Sequence, residues 1–192
     1  IAEVQGESPA SSPASIWARD NIFMQLGLGN DQLDVSPRNV ATWSSSATLL
    51  QAGRLIQVID PLGTSDINLE AVRATRLEVH TNGGDGDISV YDAVLQSLGI
   101  YGHSGINRVT LTSSQIAYGA VIDTGEQNDQ VWVVNTSARD LRVNLGSGDD
   151  YLNVQGIAIA NEAYFDGQGN RDTFVNAGGN TWKRLRKLSF EK

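Results

Sequence analysis

The sequence predicts an all-β, single-domain solenoid of the parallel β-helix type, in which short parallel strands coil around one axis. Three observations predict this fold. Apolar residues alternate with polar ones over short runs, which is the signature of a strand. The pattern returns in seven segments, whose starts are separated by 34, 21, 21, 22, 21 and 22 residues. No segment is long enough to bury its apolar side alone, so neighbouring segments must stack.

The repeat is clearest in the first and sixth segments. Residues 22–35 (IFMQLGLGNDQLDV) and 141–154 (LRVNLGSGDDYLNV) align without a gap. Each segment has a first strand, a loop rich in Gly, Asn and Asp, a second strand and a looser third stretch. A period of 21–22 residues is too short for helical repeats, which run about 33 residues or more. It fits about seven coils of three short strands. The first strands share one inward apolar column, namely Met24, Val58, Val79, Ile100, Ile122, Val143 and Phe165.

The ends and one insertion complete the predicted organisation. Residues 1–15, dominated by Ser, Pro and Ala, indicate a flexible linker or tail. The coils then occupy residues 16–180, with an insertion at about 40–52 that lengthens the first interval. Residues 181–192 are basic and contain apolar side chains, which favours a C-terminal cap over the last coil. The alternative is a docking site for an acidic partner.

Composition excludes several classes of function. The net charge is −8, although residues 181–192 carry five basic residues and one acidic residue, so the rest of the chain is strongly acidic. We therefore expect no nucleic-acid partner, because phosphates would be repelled. The chain has no Cys, which excludes disulfides, thiolate metal sites and thiol catalysis. No apolar run reaches membrane-spanning length, and we expect any export signal to lie outside this sequence.

The loops carry the most informative chemistry. They read GLGND at 27–31, GGDGD at 83–87 and GSGDD at 146–150. These loops are similar to the G-G-x-G-x-D-x-U-x repeats of the haemolysin-type (RTX) family, and the coils resemble right-handed parallel β-helices of secreted bacterial proteins. The resemblance covers about residues 20–180, and it implies right-handed coiling, an extracellular or cell-surface location and calcium as an optional ligand. The implied metal ligands are Asp31, Asp85, Asp87, Asp129, Asp149, Asp150 and Asp172.

The loops also depart from that family. The family's loops recur every nine residues, whereas this chain has one loop per coil, and two of the seven loops are degenerate. A structural interpretation therefore stands beside calcium binding. Gly, Asn and Asp permit tight corners, and the Asp and Asn side chains can bond to backbone groups.

The outer face of the first strands is the candidate for catalysis or ligand binding. Asp123 and Asp166 fall two coils apart, about 10 Å, and Arg142 falls between them in sequence. The resemblance to β-helix polysaccharide lyases and hydrolases implies that such a face carries clustered carboxylates, with Tyr101 and Tyr164 as sugar platforms. A polar solvent-facing surface is the favoured interpretation. Trp43 marks the insertion, which is either a partner-binding protrusion or a bulge.

These observations favour a non-catalytic structural or adhesive module of the extracellular surface, forming part of a larger polypeptide. Its expected partner is a polysaccharide or another cell-surface component, and calcium is an optional stabiliser. The alternative is a carbohydrate-active enzyme, or a carbohydrate-binding module, of the pectate-lyase-like type.

Overall fold

A computed structural model describes residues 16–35 and 50–191, and these residues form a parallel β-solenoid of about six turns. Every strand pair is parallel, and no helix occurs within these two ranges. The predicted all-β solenoid is confirmed. The predicted linker (1–15) and most of the insertion, including Trp43, lie outside the described residues.

The strands form two sheets that run along the solenoid. The ten-stranded long sheet contains β1 (Ile16–Ala18), β2 (Asn21–Gln25), β4 (Leu50–Ala52), β5 (Leu55–Asp60), β7 (Val72–Thr81), β9 (Val94–Gly102), β11 (Gln115–Asp123), β13 (Ser137–Asn144), β15 (Ala158–Asp166) and β17 (Thr181–Leu188). The seven-stranded short sheet contains β3 (Asp31–Val35), β6 (Ser65–Glu70), β8 (Gly86–Tyr91), β10 (Asn107–Thr112), β12 (Gln130–Val134), β14 (Tyr151–Gln155) and β16 (Thr173–Asn176).

The strand register confirms the alignment of the repeats. The predicted first residues of the seven segments, from Ile22 to Ala163, pair with one another in a single continuous column. One detail differs from the expectation of three separate strands per coil. From β7 onward the looser third stretch joins the next first strand into one long strand. From the pairing of β9 with β11 onward, a register irregularity lies at each junction, as at Ile116/Gly119. The irregularity lets one strand bend around a corner of the coil.

The core is a column of aliphatic side chains enclosed between the two sheets. Ile56, Val79 and Ile122 are fully buried, as the alternation predicts. Each such side chain contributes roughly 1.5–3 kcal/mol through burial. Towards the C-terminal end the column becomes aromatic, where the ring of Phe165 lies 5.5 Å from that of Phe174. The rings of Phe174 and Phe190 follow at 5.6 Å.

The basic C-terminal segment continues the long sheet as its last described strand. Thr181–Leu188 pairs in register with β15, and Trp182 and Phe190 pack against the core. Lys187 occupies the inward column, where its Nζ lies 5.3 Å from the ring centre of Phe174. Leu185 remains 38% exposed. This segment therefore both extends the sheet and contributes aromatic packing at its end.

Candidate functional site

Three buried aspartates form a ladder at the corner between the loop and the short sheet. Asp129 accepts a hydrogen bond from the backbone N–H of Asn107 (2.7 Å), which lies in the preceding coil. Asp150 accepts one from the N–H of Asp129 (2.7 Å), and Asp172 accepts one from the N–H of Asp150 (3.0 Å). Each carboxylate thereby satisfies a buried backbone donor of its neighbour, which would otherwise cost about 1–3 kcal/mol. We call these three residues the aspartate ladder.

Burial shifts the ionisation of the aspartate ladder. Removal from water, together with the smaller effect of the neighbouring carboxylates of Asp129 and Asp172, raises the pKa of Asp150 to about 7, against the hydrogen bond from the Asp129 backbone. Burial also raises the pKa of Asp129 to about 6 and raises the pKa of Asp172. The cost of burying a charged carboxylate explains the direction of all three shifts.

A second set of loop side chains accepts hydrogen bonds from the following coil, whereas the aspartate ladder accepts them from the preceding coil. Asp85 accepts a hydrogen bond from the N–H of Ile106 in the following coil (2.9 Å). Asp149 likewise accepts one from the N–H of Arg171 (3.0 Å). In the same column Asn128 accepts one from the N–H of Asp149 (2.8 Å), so an amide and a carboxylate are interchangeable there. The loop aspartates thus have structural partners in both neighbouring coils.

The glycines of the loops serve close stacking of the coils. Gly146 has a φ of 95°, and a Cβ at this position would overlap the carbonyl oxygen of Gly125 in the preceding coil. Only glycine permits both this backbone conformation and this approach. The glycine pattern that suggested calcium loops is therefore also required for the corner itself.

The predicted metal ligands are spread along the solenoid. Within residues 16–35 and 50–191, no three His, Asp or Glu side chains come together in a cluster that could hold a metal ion. Asp87 projects from the outer face of β8, away from the loop that carries Asp85. One observation favours a cation nonetheless. The Oδ2 atoms of Asp31, Asp150 and Asp172 are buried and have no hydrogen-bond partner among the described residues.

On the outer face of the long sheet, Tyr164 contacts two of the three residues of the alternative catalytic set, Arg142 and Asp166. Arg142 and Tyr164 are paired across β13 and β15, and the guanidinium carbon lies 5.0 Å from the ring centre. The hydroxyl of Tyr164 donates a hydrogen bond to Asp166 (2.9 Å). This bond raises the pKa of Tyr164, so the phenol remains a donor. Asp166 also accepts from the backbone N–H of Gln168 (3.1 Å), which fixes the carboxylate in a turn.

Asp123, the third residue of that set, lies in the column of Asp166, next to the column that contains Arg142 and Tyr164. The register aligns Asp123 with Asn144 and Asp166 on successive strands, so two inter-strand spacings, about 10 Å, separate the two aspartates. Tyr101 belongs to the same column. It stacks on His80 with ring centres 4.8 Å apart, so one face of its ring is already covered.

Sequence reasoning missed two features of these surfaces. Arg186 lies 5.5 Å from the ring centre of Tyr164, so the basic C-terminal segment contributes to the outer face. On the short sheet, Arg108 lies 4.9 Å from the ring centre of Trp132, whose ring centre is 5.7 Å from that of Tyr151. Comparing the outward-facing residues of successive strands in the sequence could have identified both features.

Compared with protein-family models, with curated proteins and with solved structures, the chain matches none. The functional argument therefore rests on the residues of this chain. Among the described residues, no helix has the length and apolarity needed to cross a membrane.

Proposed function

We propose that this chain is a rigid, non-catalytic module of the extracellular surface, which holds a binding face at a fixed position along a rod. The observation that carries this proposal is the continuous parallel pairing of strands in both sheets from the first to the last described coil. Coils that pair through the backbone along their whole length resist bending and separation. Such a scaffold suits presentation of flat faces that carry side chains at regular intervals.

The proposal is tested by asking whether the chain binds an extracellular polymer without cleaving it. Beads coated with the chain would be offered a series of purified extracellular polysaccharides and surface proteins, beside beads coated with an unrelated protein of equal net charge. We expect retention on at least one polymer, with no release of reducing ends or unsaturated sugars. Retention on none would contradict the presentation role. Release of products would favour the alternative, a carbohydrate-active enzyme that uses Asp123, Arg142 and Asp166.

Calcium stabilisation is proposed as a second property of the same module. Its support is the pair of buried Oδ2 atoms on Asp150 and Asp172 that have no partner among the described residues, together with the repulsion from neighbouring carboxylates that adds to burial in raising the pKa of Asp150. A cation held near these oxygens would reduce that repulsion. A ligand that binds only the folded chain stabilises it in proportion to the logarithm of its concentration.

The melting temperature in excess chelator, in millimolar calcium and in millimolar magnesium, at one ionic strength, tests this property. We expect calcium alone to raise the melting temperature by several degrees. Asp66→Asn, which removes an exposed carboxylate from the outer face of β6, is the matched control and should keep the calcium effect. Equal melting temperatures in all three solutions would leave the loops as structural corners.

A carbohydrate-binding role for the outer face is the second candidate, favoured by the position of Tyr164 beside Arg142 and Asp166. It belongs to the same presentation role.

A further inference from the structure

Three side chains stand in one row on the outer face of the long sheet, near its C-terminal end. Arg142 on β13, Tyr164 on β15 and Arg186 on β17 are register partners across adjacent strands. The two guanidinium carbons lie 5.0 and 5.5 Å from the ring centre of Tyr164. Cation–π contacts of this kind hold an arginine in place while its N–H groups stay available. We call this row the Arg–Tyr–Arg row.

Neither guanidinium of the row forms an ion pair with a carboxylate of residues 16–35 or 50–191. The Nε of Arg142 donates to the side-chain oxygen of Asn144 (3.2 Å), which leaves its terminal nitrogens without a protein partner in the described part of the chain. Arg186 is exposed and forms no ion pair with any described residue. Two fixed, unpaired positive charges on a chain of net charge −8 mark this face as a local site for anions.

An open groove of about 460 Å³ lies beside the Arg–Tyr–Arg row. It runs along the solenoid axis, because it is lined by two neighbouring columns of side chains. One column is the row itself, and the other contains Gly119, Asp140 and Glu162 as register partners. Gly119 has no side chain, so the wall of the groove is low at the end formed by β11. Asp140 accepts hydrogen bonds from Asn161 Nδ2 (2.6 Å) and from the backbone N–H of Glu162 (3.2 Å), which fixes its carboxylate at the groove.

We propose that this groove binds a linear acidic polysaccharide whose carboxylates contact Arg142 and Arg186. The proposal names the ligand class for the presentation role above, and it rests on that role. Guanidinium groups bind carboxylates through paired, charge-assisted hydrogen bonds. The carboxylates of Asp140 and Glu162 are acceptors that suit sugar hydroxyls, which an acidic peptide such as poly-L-glutamate does not offer. A ligand with both anions and many hydroxyl donors matches this combination.

The spacing of the two arginines adds a length requirement. Arg142 and Arg186 are separated by two inter-strand spacings, about 10 Å, with Tyr164 between them. A single sugar unit is too short to reach both guanidinium groups. Binding should therefore strengthen sharply once a uronate oligomer is long enough to place carboxylates at both arginines, and change little with further length.

Titration calorimetry on the folded chain tests the proposal with four probes: a linear polyuronate, its fully methyl-esterified form, a neutral linear glucan and poly-L-glutamate. We expect binding of the polyuronate that weakens with salt, and weak binding of the other three. The double variant Arg142→Gln/Arg186→Gln should bind the polyuronate at least about tenfold more weakly. Arg108→Gln removes an arginine that stacks on Trp132 on the opposite sheet, and it should bind like the parent chain.

Melting curves of all variants establish that each is folded before binding is compared. Unchanged binding of the double variant, an equal loss in Arg108→Gln, or binding of poly-L-glutamate as tight as that of the polyuronate would each overturn the proposal. Retention on some other surface polymer, without polyuronate binding, would overturn this inference and leave the presentation role standing.

Discussion

Replacing Asp150 with Asn should make the solenoid more stable at neutral and alkaline pH. Asp150 is 2% exposed, and burial raises its pKa from 3.8 to about 7. Between those two values the folded chain binds a proton that the unfolded chain has lost. The free energy of unfolding therefore falls as pH rises through this window, and the loss is complete above about pH 7. Asn cannot ionise, so the variant avoids this loss.

The size of the effect follows from the same shift. From about pH 5 to about pH 7, the ionisation of Asp150 costs roughly 3 kcal/mol. Roughly 2–4 °C of melting temperature accompanies each kcal/mol in a chain of this size, so Asp150→Asn should melt roughly 6–12 °C above the parent near pH 8. Near pH 5 the two chains should melt much closer together, because the protonated carboxyl and the amide are similar in shape and polarity.

The same column already contains an amide. Asn107 directly precedes Arg108, the register partner of Gln130, so it occupies the position of Asp129 in the preceding coil. Its Nδ2 donates to the carbonyl oxygens of Gly105 (2.9 Å) and Thr124 (3.0 Å). For Asp150, the equivalent carbonyl groups belong to Gly148, two residues before it, and to Gly167 in the following coil. An amide at position 150 should therefore find acceptors for its N–H groups.

Thermal unfolding and urea titration at about pH 5 and about pH 8 measure the effect. Asp149→Asn is the matched control, because Asp149 is the exposed neighbour in the chain and aligns with Asn128 in the preceding coil. It should change stability by less than about 0.5 kcal/mol at either pH. If Asp150→Asn melts below the parent near pH 8, the buried carboxylate is stabilised in its charged form and the argument from desolvation is wrong.

Two further predictions concern the stacking of the coils. Gly146→Ala should lower the free energy of unfolding by about 2 kcal/mol or more, because its Cβ would overlap the carbonyl oxygen of Gly125; Gly169→Ala, with open space around the new Cβ, should be nearly neutral in the same urea titration. Phe165→Ala should cost about 3–5 kcal/mol, because this ring is fully buried, whereas Phe23→Ala, at a side chain that is 64% exposed, should cost under about 1 kcal/mol. Equal losses within either pair would contradict the packing described here.

Much of the fold could be predicted from the sequence because its signal is periodic. The alternation that placed Val79, Ile122 and Phe165 in one inward column requires only that strands show alternate residues to opposite faces, and the register confirms that column. The alignment of Asp123 with Asp166 followed from the same count of residues. Each depends on spacing along the chain, which sequence displays directly.

The contribution of Arg186 could not be predicted in this way. Lys187 occupies an inward position, where every earlier coil has an apolar side chain, so the alternation breaks in this segment. Apolar residues among basic ones, after the last repeat, predict a cap instead. The structure tolerates this lysine because β17 is the last described strand and the ammonium group can lie over Phe174 near the end of the core. With the segment placed in register, Arg186 falls beside Tyr164.

The hydrogen bonds of the loop aspartates also could not be predicted from the sequence, because a Gly-Asp loop suits both calcium binding and a tight backbone corner. Glycines that turn carbonyl groups towards a cation also let one coil approach the next. An aspartate that could ligate calcium also accepts a backbone hydrogen bond, as Asp150 does from the N–H of Asp129. Only three-dimensional contacts decide which oxygen is engaged, and here one oxygen of Asp150 is bonded while the other is buried without a partner among the described residues.

This division of the two oxygens links the calcium proposal to the pH dependence. A cation stabilises the fold here only by offsetting the cost of burying charged carboxylates in the aspartate ladder. That charge develops as pH rises towards the raised pKa of Asp150. Calcium that acts at the aspartate ladder must therefore raise the melting temperature more near pH 8 than near pH 5. It must also lose most of its effect in Asp150→Asn and keep it in Asp149→Asn. A calcium effect that is independent of pH and unchanged in Asp150→Asn would place the cation elsewhere, and would leave the ladder as a set of backbone acceptors.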